Sequence, residues 1–318
     1  MIDLSSSFLH YLSCALVVVL PALGVSLGQG RTTMAVADAL DHQPHAHNEI
    51  SRTFGIAMAL IETAAILSFI VALKLFSFGA HAEWHNAQYM HYAELGIACA
   101  LGLAGGVAGF FSSLPARQTC LAIARQPFFT SKIQLLMVIT QSLMQTPVLL
   151  GFILSFLIIG QLESVTGLAD ALRLLSAGLC LGIGSIGPVF GLARLSQQAC
   201  EGIGKNKNAY GRILSFSIVS SALIESAIIF CLIIALFLLS AKTTSQTNGL
   251  MYLSSALAMG CGTLGVGISS GRLTAQACKV FAEKPELYTE ISKISFFSQI
   301  LIETSAVYAL VISVFILL

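Results

Sequence analysis

The sequence predicts an all-α membrane protein whose eight transmembrane helices form four tandem helical hairpins. Hydrophobic residues make up 56% of the 318 positions, charged residues make up only 10%, and the mean hydropathy is +0.86. A soluble domain carries roughly 25% charged residues, so this composition indicates an integral membrane protein. The net charge of +1 gives no indication of a nucleic-acid partner. The remaining observation is an internal repeat that groups the helices in pairs.

Eight apolar stretches are long enough to cross a bilayer as helices, which requires about 20 residues each. The first has the apolar core of a signal peptide but carries Asp3 where such peptides have a positive charge. We therefore expect it to be retained as the first helix. The eight predicted helices cover residues 8–40, 47–79, 90–124, 128–161, 171–204, 209–240, 250–282 and 287–318.

The repeat relates four short polar loops to four polar residues in the middle of the following helices. The loops end at Pro44, Pro127, Lys207 and Pro285. Eighteen residues beyond each loop end lie Glu62, Gln145, Glu225 and Glu303. Because both series step by 83, 80 and 78 residues, the repeating unit is a two-helix hairpin. The predicted units are hairpin 1 (residues 1–80), hairpin 2 (81–163), hairpin 3 (164–243) and hairpin 4 (244–318).

The acids of this series lie in apolar surroundings. An ionised carboxylate in the middle of a bilayer costs several kcal/mol, so such acids are rare and usually functional. Glu62, Glu225 and Glu303 are therefore candidate ion-binding residues. Gln145 cannot exchange a proton, and hairpin 2 is expected to be ion-silent.

Small and hydroxyl-bearing residues also recur in the hairpins. Each first helix contains a Gly-x-x-x-Gly motif, which predicts close packing of helices in lipid. The motifs begin at Gly24, Gly102, Gly187 and Gly267. A hydroxyl follows each mid-membrane polar residue, where it can donate to a carboxylate, ligate a cation or bond back to its own helix. These residues are Thr63, Thr146, Ser226 and Thr304.

The distribution of basic residues predicts the topology. Of sixteen Lys and Arg residues, all but Lys74, Arg173 and Lys242 lie in or near the short loops. By the positive-inside rule, the loops face the cytoplasm and both termini face the opposite side. Two histidine groups in polar connections do not predict a specific metal site: His81, His85 and His91, and His42, His45 and His47.

The joint pattern resembles the c subunit, or proteolipid, of rotary ATP synthases. The segment Ala124-Arg-Gln-Pro127 is similar to the loop of that family, and Gly28-Gln29-Gly30 is similar to its first helix, with Glu62 placed 33 residues after Gln29. Hairpin 4 has a V/A-type character, in the segments Glu283-Lys-Pro285 and Glu303-Thr-Ser-Ala-Val-Tyr308. The resemblance covers nearly the whole chain, four times over.

The resemblance implies a rotor subunit that is not an enzyme by itself. Further copies of the chain would complete a ring in the lipid membrane, because four hairpins are too few to close one. Each acid would carry an ion past an Arg of the stator a subunit, and the loops would contact the central stalk. The membrane would be a bacterial or mitochondrial inner membrane, with loops on the cytoplasmic or matrix side. The stalk contacts would be Gln43, Pro44, Arg125, Gln126, Pro127, Lys205, Asn206, Lys284 and Pro285.

The coupling ion is predicted to be H⁺, with Na⁺ as the alternative. The family's sodium form adds a Gln on the first helix and a hydroxyl from a neighbouring hairpin. At the Gln29 position, hairpin 3 has Leu192 and hairpin 4 has Ser270, so the acid of hairpin 3 lacks a ligand oxygen there. The possible supporting residues are Gln29, Thr63, Thr146, Ser226, Ser270, Thr304 and Tyr308.

Two other classes of protein remain open. One is a secondary ion transporter, although such proteins commonly use inverted repeats. The other is a non-catalytic proteolipid that forms a pore or scaffold. No cofactor other than the bound ion is expected. The sequence leaves open the ring copy number, the direction of ATP turnover and whether the soluble partner is of F-type or V/A-type.

Overall fold

The computed structural model describes residues 4–78, 87–243 and 247–318. In these ranges, eight helices are long and apolar enough to cross a membrane. They are Phe8–His42, Pro44–Phe78, Tyr89–Arg125, Pro127–Ile159, Leu168–Lys205, Lys207–Ser240, Asn248–Glu283 and Pro285–Leu317. The predicted all-α fold of eight apolar helices is confirmed. His81, His85 and the first predicted unit boundary lie outside the described residues, as does residue 244 at the third boundary.

Three hairpins consist of two nearly uninterrupted α-helices joined by a short 3-10 turn. The α-helices are Leu4–His42 and His47–Phe78 in hairpin 1, Leu168–Lys205 and Tyr210–Ser240 in hairpin 3, and Thr247–Glu283 and Tyr288–Leu317 in hairpin 4. At 1.5 Å per residue, helices of this length exceed the hydrocarbon thickness of about 30 Å. Their ends therefore project beyond the hydrocarbon layer.

Hairpin 2 is interrupted in both helices. Its first helix consists of Ala87–Ile97, a π-helical segment at Ala98–Leu103, Ala104–Phe111 and Ser113–Arg125. Its second consists of Thr130–Met144 and Thr146–Ile159. Proline has no N–H for the helical hydrogen bond, and Pro115 and Pro147 lie within three residues of the two breaks at Ser112 and Gln145.

The first helices of the hairpins pack side by side and form an inner layer, as the Gly-x-x-x-Gly motifs predict. A Cβ atom on Gly24 would overlap the backbone of Gly106, which joins hairpins 1 and 2. The same holds for Gly178 against Gly96 and for Gly267 against Gly187 at the next two junctions. Since only glycine permits this approach, these contacts set the spacing of the hairpins.

The hairpins form a row in chain order, with their second helices as an outer layer. Burial of the most apolar part of a helix differs between the hairpins. It is 72% in the first helix of hairpin 3 and 11% in the second helix of hairpin 4. Hairpins 2 and 3 are therefore covered on both sides, whereas hairpin 4 ends the row. The exposed apolar surface of hairpin 4 includes Ile294, Phe297 and Phe315.

The loops of hairpins 2 and 3 are hydrogen-bonded to the next hairpin. Each loop of the chain opens a 3-10 turn, and three of the four turns begin with proline, whose fixed φ suits this position. Gln126 Nε2 donates to the carbonyl of Gly204 at 2.9 Å, and Asn206 Nδ2 donates to that of Ala282 at 3.1 Å. Both loop residues therefore connect successive hairpins in the same way.

Candidate ion-carrying site

The acid of hairpin 1 is paired within its own hairpin. The Gln29 amide on the first helix donates to Glu62 Oε2 on the second. Glu62 is partly buried, and Thr63 donates to the Ala59 carbonyl of its own helix at 3.1 Å. The structure thus brings Gln29 to Glu62 and leaves the Thr63 hydroxyl bonded locally.

The acid of hairpin 4 is paired with the neighbouring hairpin. Ser226 Oγ of hairpin 3 donates to Glu303 Oε1 at 3.1 Å and is also 2.7 Å from the carbonyl of Leu223 in its own helix. One hydroxyl therefore contacts both a backbone carbonyl and an acid of the next hairpin. Ser270 is 1% exposed and its hydroxyl has no partner among the described residues.

Glu225 in hairpin 3 is the least supported of the three acids. It is partly buried, and no hydrogen bond to it is found in the described part of the chain. Leu192, which holds the register position of Gln29, is 1% exposed and offers no polar atom. The carboxyl group of Glu225 therefore has no hydrogen-bonding partner among the described residues. Any further ligand would come from a neighbour of hairpin 3.

Hairpin 2 replaces the acid with an amide network. Gln145 is 4% exposed, and its Nε2 donates to Ser112 Oγ at 3.2 Å. Gln141 Nε2 donates to the Ser112 carbonyl at 2.9 Å, at the break of the first helix. The 33-residue separation of Ser112 and Gln145 equals that of Gln29 and Glu62. Hairpin 2 therefore has a polar pair at the same two positions as Gln29 and Glu62 of hairpin 1. The donating amide is on the second helix in hairpin 2 and on the first helix in hairpin 1.

Within the described residues, the other residues predicted to support the ion sites make no hydrogen bond to an acid. Thr304 Oγ1 donates to the Leu301 carbonyl at 2.6 Å, the same local contact that Ser226 makes with Leu223. Tyr308 is 68% exposed on the outer helix of hairpin 4. Thr146 is partly buried beside the break at Gln145.

The loop residues predicted to bind the stalk divide into two groups. Pro44, Arg125, Lys205 and Lys284 are exposed, although Lys205 is paired with Glu201 at 2.7 Å. Gln43, Gln126, Pro127, Asn206 and Pro285 are partly buried. Phe128 is fully exposed at a loop tip, an apolar contact candidate that the sequence reasoning missed.

Sequence reasoning also missed a buried acid outside the series of Glu62, Glu225 and Glu303. Glu94 is fully buried, and its carboxylate contacts the Nδ1 atoms of His10 and His91, each at 3.0 Å. These residues lie outside the register of the repeat, so the pattern that identified Glu62 gave no signal for them. His91 therefore pairs with His10 and Glu94 in the structure.

A row of like-oriented two-helix hairpins, three of which carry a carboxyl group at the same register position, defines a multi-hairpin membrane proteolipid. The profile of the ATP synthase c-subunit family matches the chain four times, at residues 12–75, 95–158, 175–238 and 253–316. The chain therefore belongs to the c-subunit family of ATP synthases, with four tandem hairpins. Members of this family are non-catalytic, ion-translocating rotor subunits, and this chain is a subunit of such a membrane ring.

Each of the individual relatives matches a segment of this chain that is about as long as one hairpin. The ATP synthase c subunit of Dehalococcoides mccartyi is 42% identical over 71 residues, which are 22% of this chain and 93% of the relative. That of Prochlorococcus marinus is 38% identical over 84 residues, 26% of this chain and 100% of the relative. Such a relative therefore has about the length of one of the four hairpins.

Proposed function

We propose that this rotor protein carries H⁺ on Glu62, Glu225 and Glu303 and that hairpin 2 carries no ion. The observation that carries the proposal is the common register of the three carboxyl groups, each 18 residues beyond its loop end, together with the amide that replaces a carboxyl at Gln145. A carboxyl that faces lipid moves at low cost only when a proton or cation neutralises it. Near an Arg of the stator a subunit it ionises, and the ion leaves.

The support for H⁺ over Na⁺ comes from Glu225, the site with the fewest possible oxygen ligands. Sodium requires several oxygen ligands, whereas one proton neutralises a carboxyl group. Glu225 lies in the hairpin that has Leu192 in place of Gln29 and accepts no hydrogen bond from the described residues. Since every working site of a rotor loads the same ion, the site with fewest oxygens sets the choice. Gln29 and Ser226 are the observations that favour Na⁺ as the second candidate.

The contact between Ser226 and Glu303 also supports a ring of several chains. Thr304 has the register position of Ser226 in hairpin 4 and would face Glu62 of an adjacent copy, although the corresponding Thr146 makes no hydrogen bond to Glu225 among the described residues. The sparsely buried outer helix of hairpin 4 leaves room for that copy. The exposed basic loops would face the cytoplasm or matrix and contact the stalk, as the distribution of Lys and Arg predicts.

The ion assignment is tested by carbodiimide labelling of the intact ring with and without NaCl at fixed ionic strength. Carbodiimides react with protonated carboxyl groups, and a bound sodium ion protects against them. We expect labelling of Glu62, Glu225 and Glu303 that decreases at high pH and is unaffected by sodium. Protection of all three by NaCl would replace H⁺ with Na⁺, whereas the rotor role would stand.

A further inference from the structure

The buried cluster of His10, His91 and Glu94 lies between hairpins 1 and 2, far from the ion-carrying depth. His10 lies on the first helix of hairpin 1, and His91 and Glu94 lie one turn apart on the first helix of hairpin 2. Nineteen residues separate His10 from Gln29, about 28 Å along a helix, in the direction away from the loops. The cluster is therefore near the membrane surface opposite the loops.

The three side chains form a compact set of metal-ligand atoms. His10 Nδ1 is 3.0 Å from both oxygens of Glu94, and His91 Nδ1 is 3.0 Å from Oε2. One ligand atom from each residue lies within 4.8 Å of the others. In a tetrahedral site with bonds of about 2.0–2.1 Å, ligand atoms are about 3.3 Å apart. An ion between these atoms therefore requires only small outward movements.

The negative charge of the buried Glu94 carboxylate favours binding of a cation by the cluster. All three side chains are 0–3% exposed, and a buried carboxylate is costly unless it is neutralised. A divalent ion with one carboxylate and two neutral imidazoles satisfies every facing atom. Imidazole and carboxylate together suit zinc and neighbouring transition metals, not calcium, which takes oxygen ligands alone.

The second ring nitrogen of His10 also has a partner. His10 Nε2 is 3.8 Å from the thiol of Cys14, one helical turn further along. Metal-bound histidines usually donate their other ring N–H to a partner that fixes the ring. A metal ion on Nδ1 would leave the ring proton on Nε2, which would then donate to Cys14 Sγ. Cys14 therefore lies behind the imidazole rather than among the ligands.

The cluster occurs at only one junction of the repeat. At the register position of Glu94, hairpins 1, 3 and 4 have Tyr11, Leu174 and Tyr252. It therefore has no counterpart in the ion-carrying series and is not one of its sites. We propose that His10, His91 and Glu94 bind one divalent transition-metal ion of the Zn²⁺ class, which fastens hairpin 1 to hairpin 2 at the outer surface.

Metal content of the purified, fully assembled ring tests this proposal. After chelator treatment and exposure to Zn²⁺ alone, we expect one equivalent per chain in the unmodified ring. His91→Gln and Glu94→Gln are each expected to lower the zinc affinity at least about tenfold. The matched control is His45→Gln, which removes an exposed loop histidine and leaves the zinc content unchanged.

Cobalt gives a second readout that needs no variant. Co²⁺ in the unmodified ring is expected to show the visible absorption of a tetrahedral site without a thiolate charge-transfer band, because Cys14 is not a ligand. A ring that binds no Zn²⁺ above the chelated baseline would overturn the proposal in favour of a hydrogen-bonded triad. Equal zinc retention in Glu94→Gln, or loss of zinc with His45→Gln, would also overturn it. These readouts do not depend on ion transport.

Discussion

Ser226 of hairpin 3 donates a hydrogen bond to Glu303 of hairpin 4, so one acid of the series is completed by a residue of the preceding hairpin. The hydroxyl is also 2.7 Å from the Leu223 carbonyl. The single hydroxyl proton of Ser226 therefore faces two acceptors, the local carbonyl and the acid of the next hairpin. Thr304 makes the same local contact in hairpin 4, at the end of the row.

Ser226→Ala should accelerate carbodiimide labelling of Glu303 at neutral pH. The variant removes a donor that stabilises the charged carboxylate, so a larger fraction of the group is in the reactive, neutral form. A hydrogen bond to a charged group is worth about 1.5–3 kcal/mol, which predicts at least a fivefold increase in rate. Labelling of Glu62 in the same sample is the internal control, and an unchanged rate at Glu303 would contradict the role of Ser226.

Thr304→Ala should affect a different acid, and only in the assembled ring. Thr304 has the same local bond as Ser226, and in the proposed ring it would face the first hairpin of the next chain. We therefore expect faster labelling of Glu62 in rings and no change in dissociated single chains. If the rates at Glu62 match those of the unmodified protein in both states, the hydroxyl does not act across the chain junction.

Gly267→Ala should weaken the inner layer. A Cβ at this position would overlap the backbone of Gly187, so the first helices of hairpins 3 and 4 must separate. Gly265→Ala, two residues earlier on the same helix, is the matched control because its Cβ would meet nothing within 4 Å. We expect a loss of stability of several kcal/mol only for Gly267→Ala, as measured by unfolding in detergent. Equal melting temperatures for the two variants would exclude close packing at this site.

Charge reversal in the loops should uncouple the rotor. Arg125→Glu combined with Lys205→Glu places negative charge on two exposed basic positions of adjacent loops. We expect ATP hydrolysis to continue while ion pumping into vesicles falls severalfold, because the stalk no longer holds the ring. Lys242→Glu, exposed at the opposite end of hairpin 3, is the control and should leave pumping intact. Normal pumping in the double variant would show that these loops do not hold the stalk.

The fold could be predicted from the sequence because its determinants are periodic. The length of the apolar stretches predicted the eight helices. The constant distance from loop to acid, as from Pro44 to Glu62 and from Pro285 to Glu303, predicted their pairing into hairpins. The glycine motifs predicted the inner layer for the same reason. Each of these signals lies within one hairpin, where chain distance and spatial distance are related.

Contacts between hairpins were harder to foresee. Pro115 and Pro147 lie close to the breaks at Ser112 and Gln145, but no local sequence pattern predicts the π-helical segment that begins at Ala98. His10 and Glu94 are 84 residues apart and outside the repeat register. Only the arrangement of helices in three dimensions brings them together.

The central claim is that the chain has three ion-carrying carboxyl groups and one silent hairpin. It is tested most directly by exhaustive carbodiimide modification of the intact ring at low pH, followed by mass measurement of the chain and its peptides. We predict three adducts per chain, at Glu62, Glu225 and Glu303, with Glu94 unmodified because it is fully buried between His10 and His91. Absence of label from all three glutamates, or label on Glu94 as extensive as on them, would contradict it.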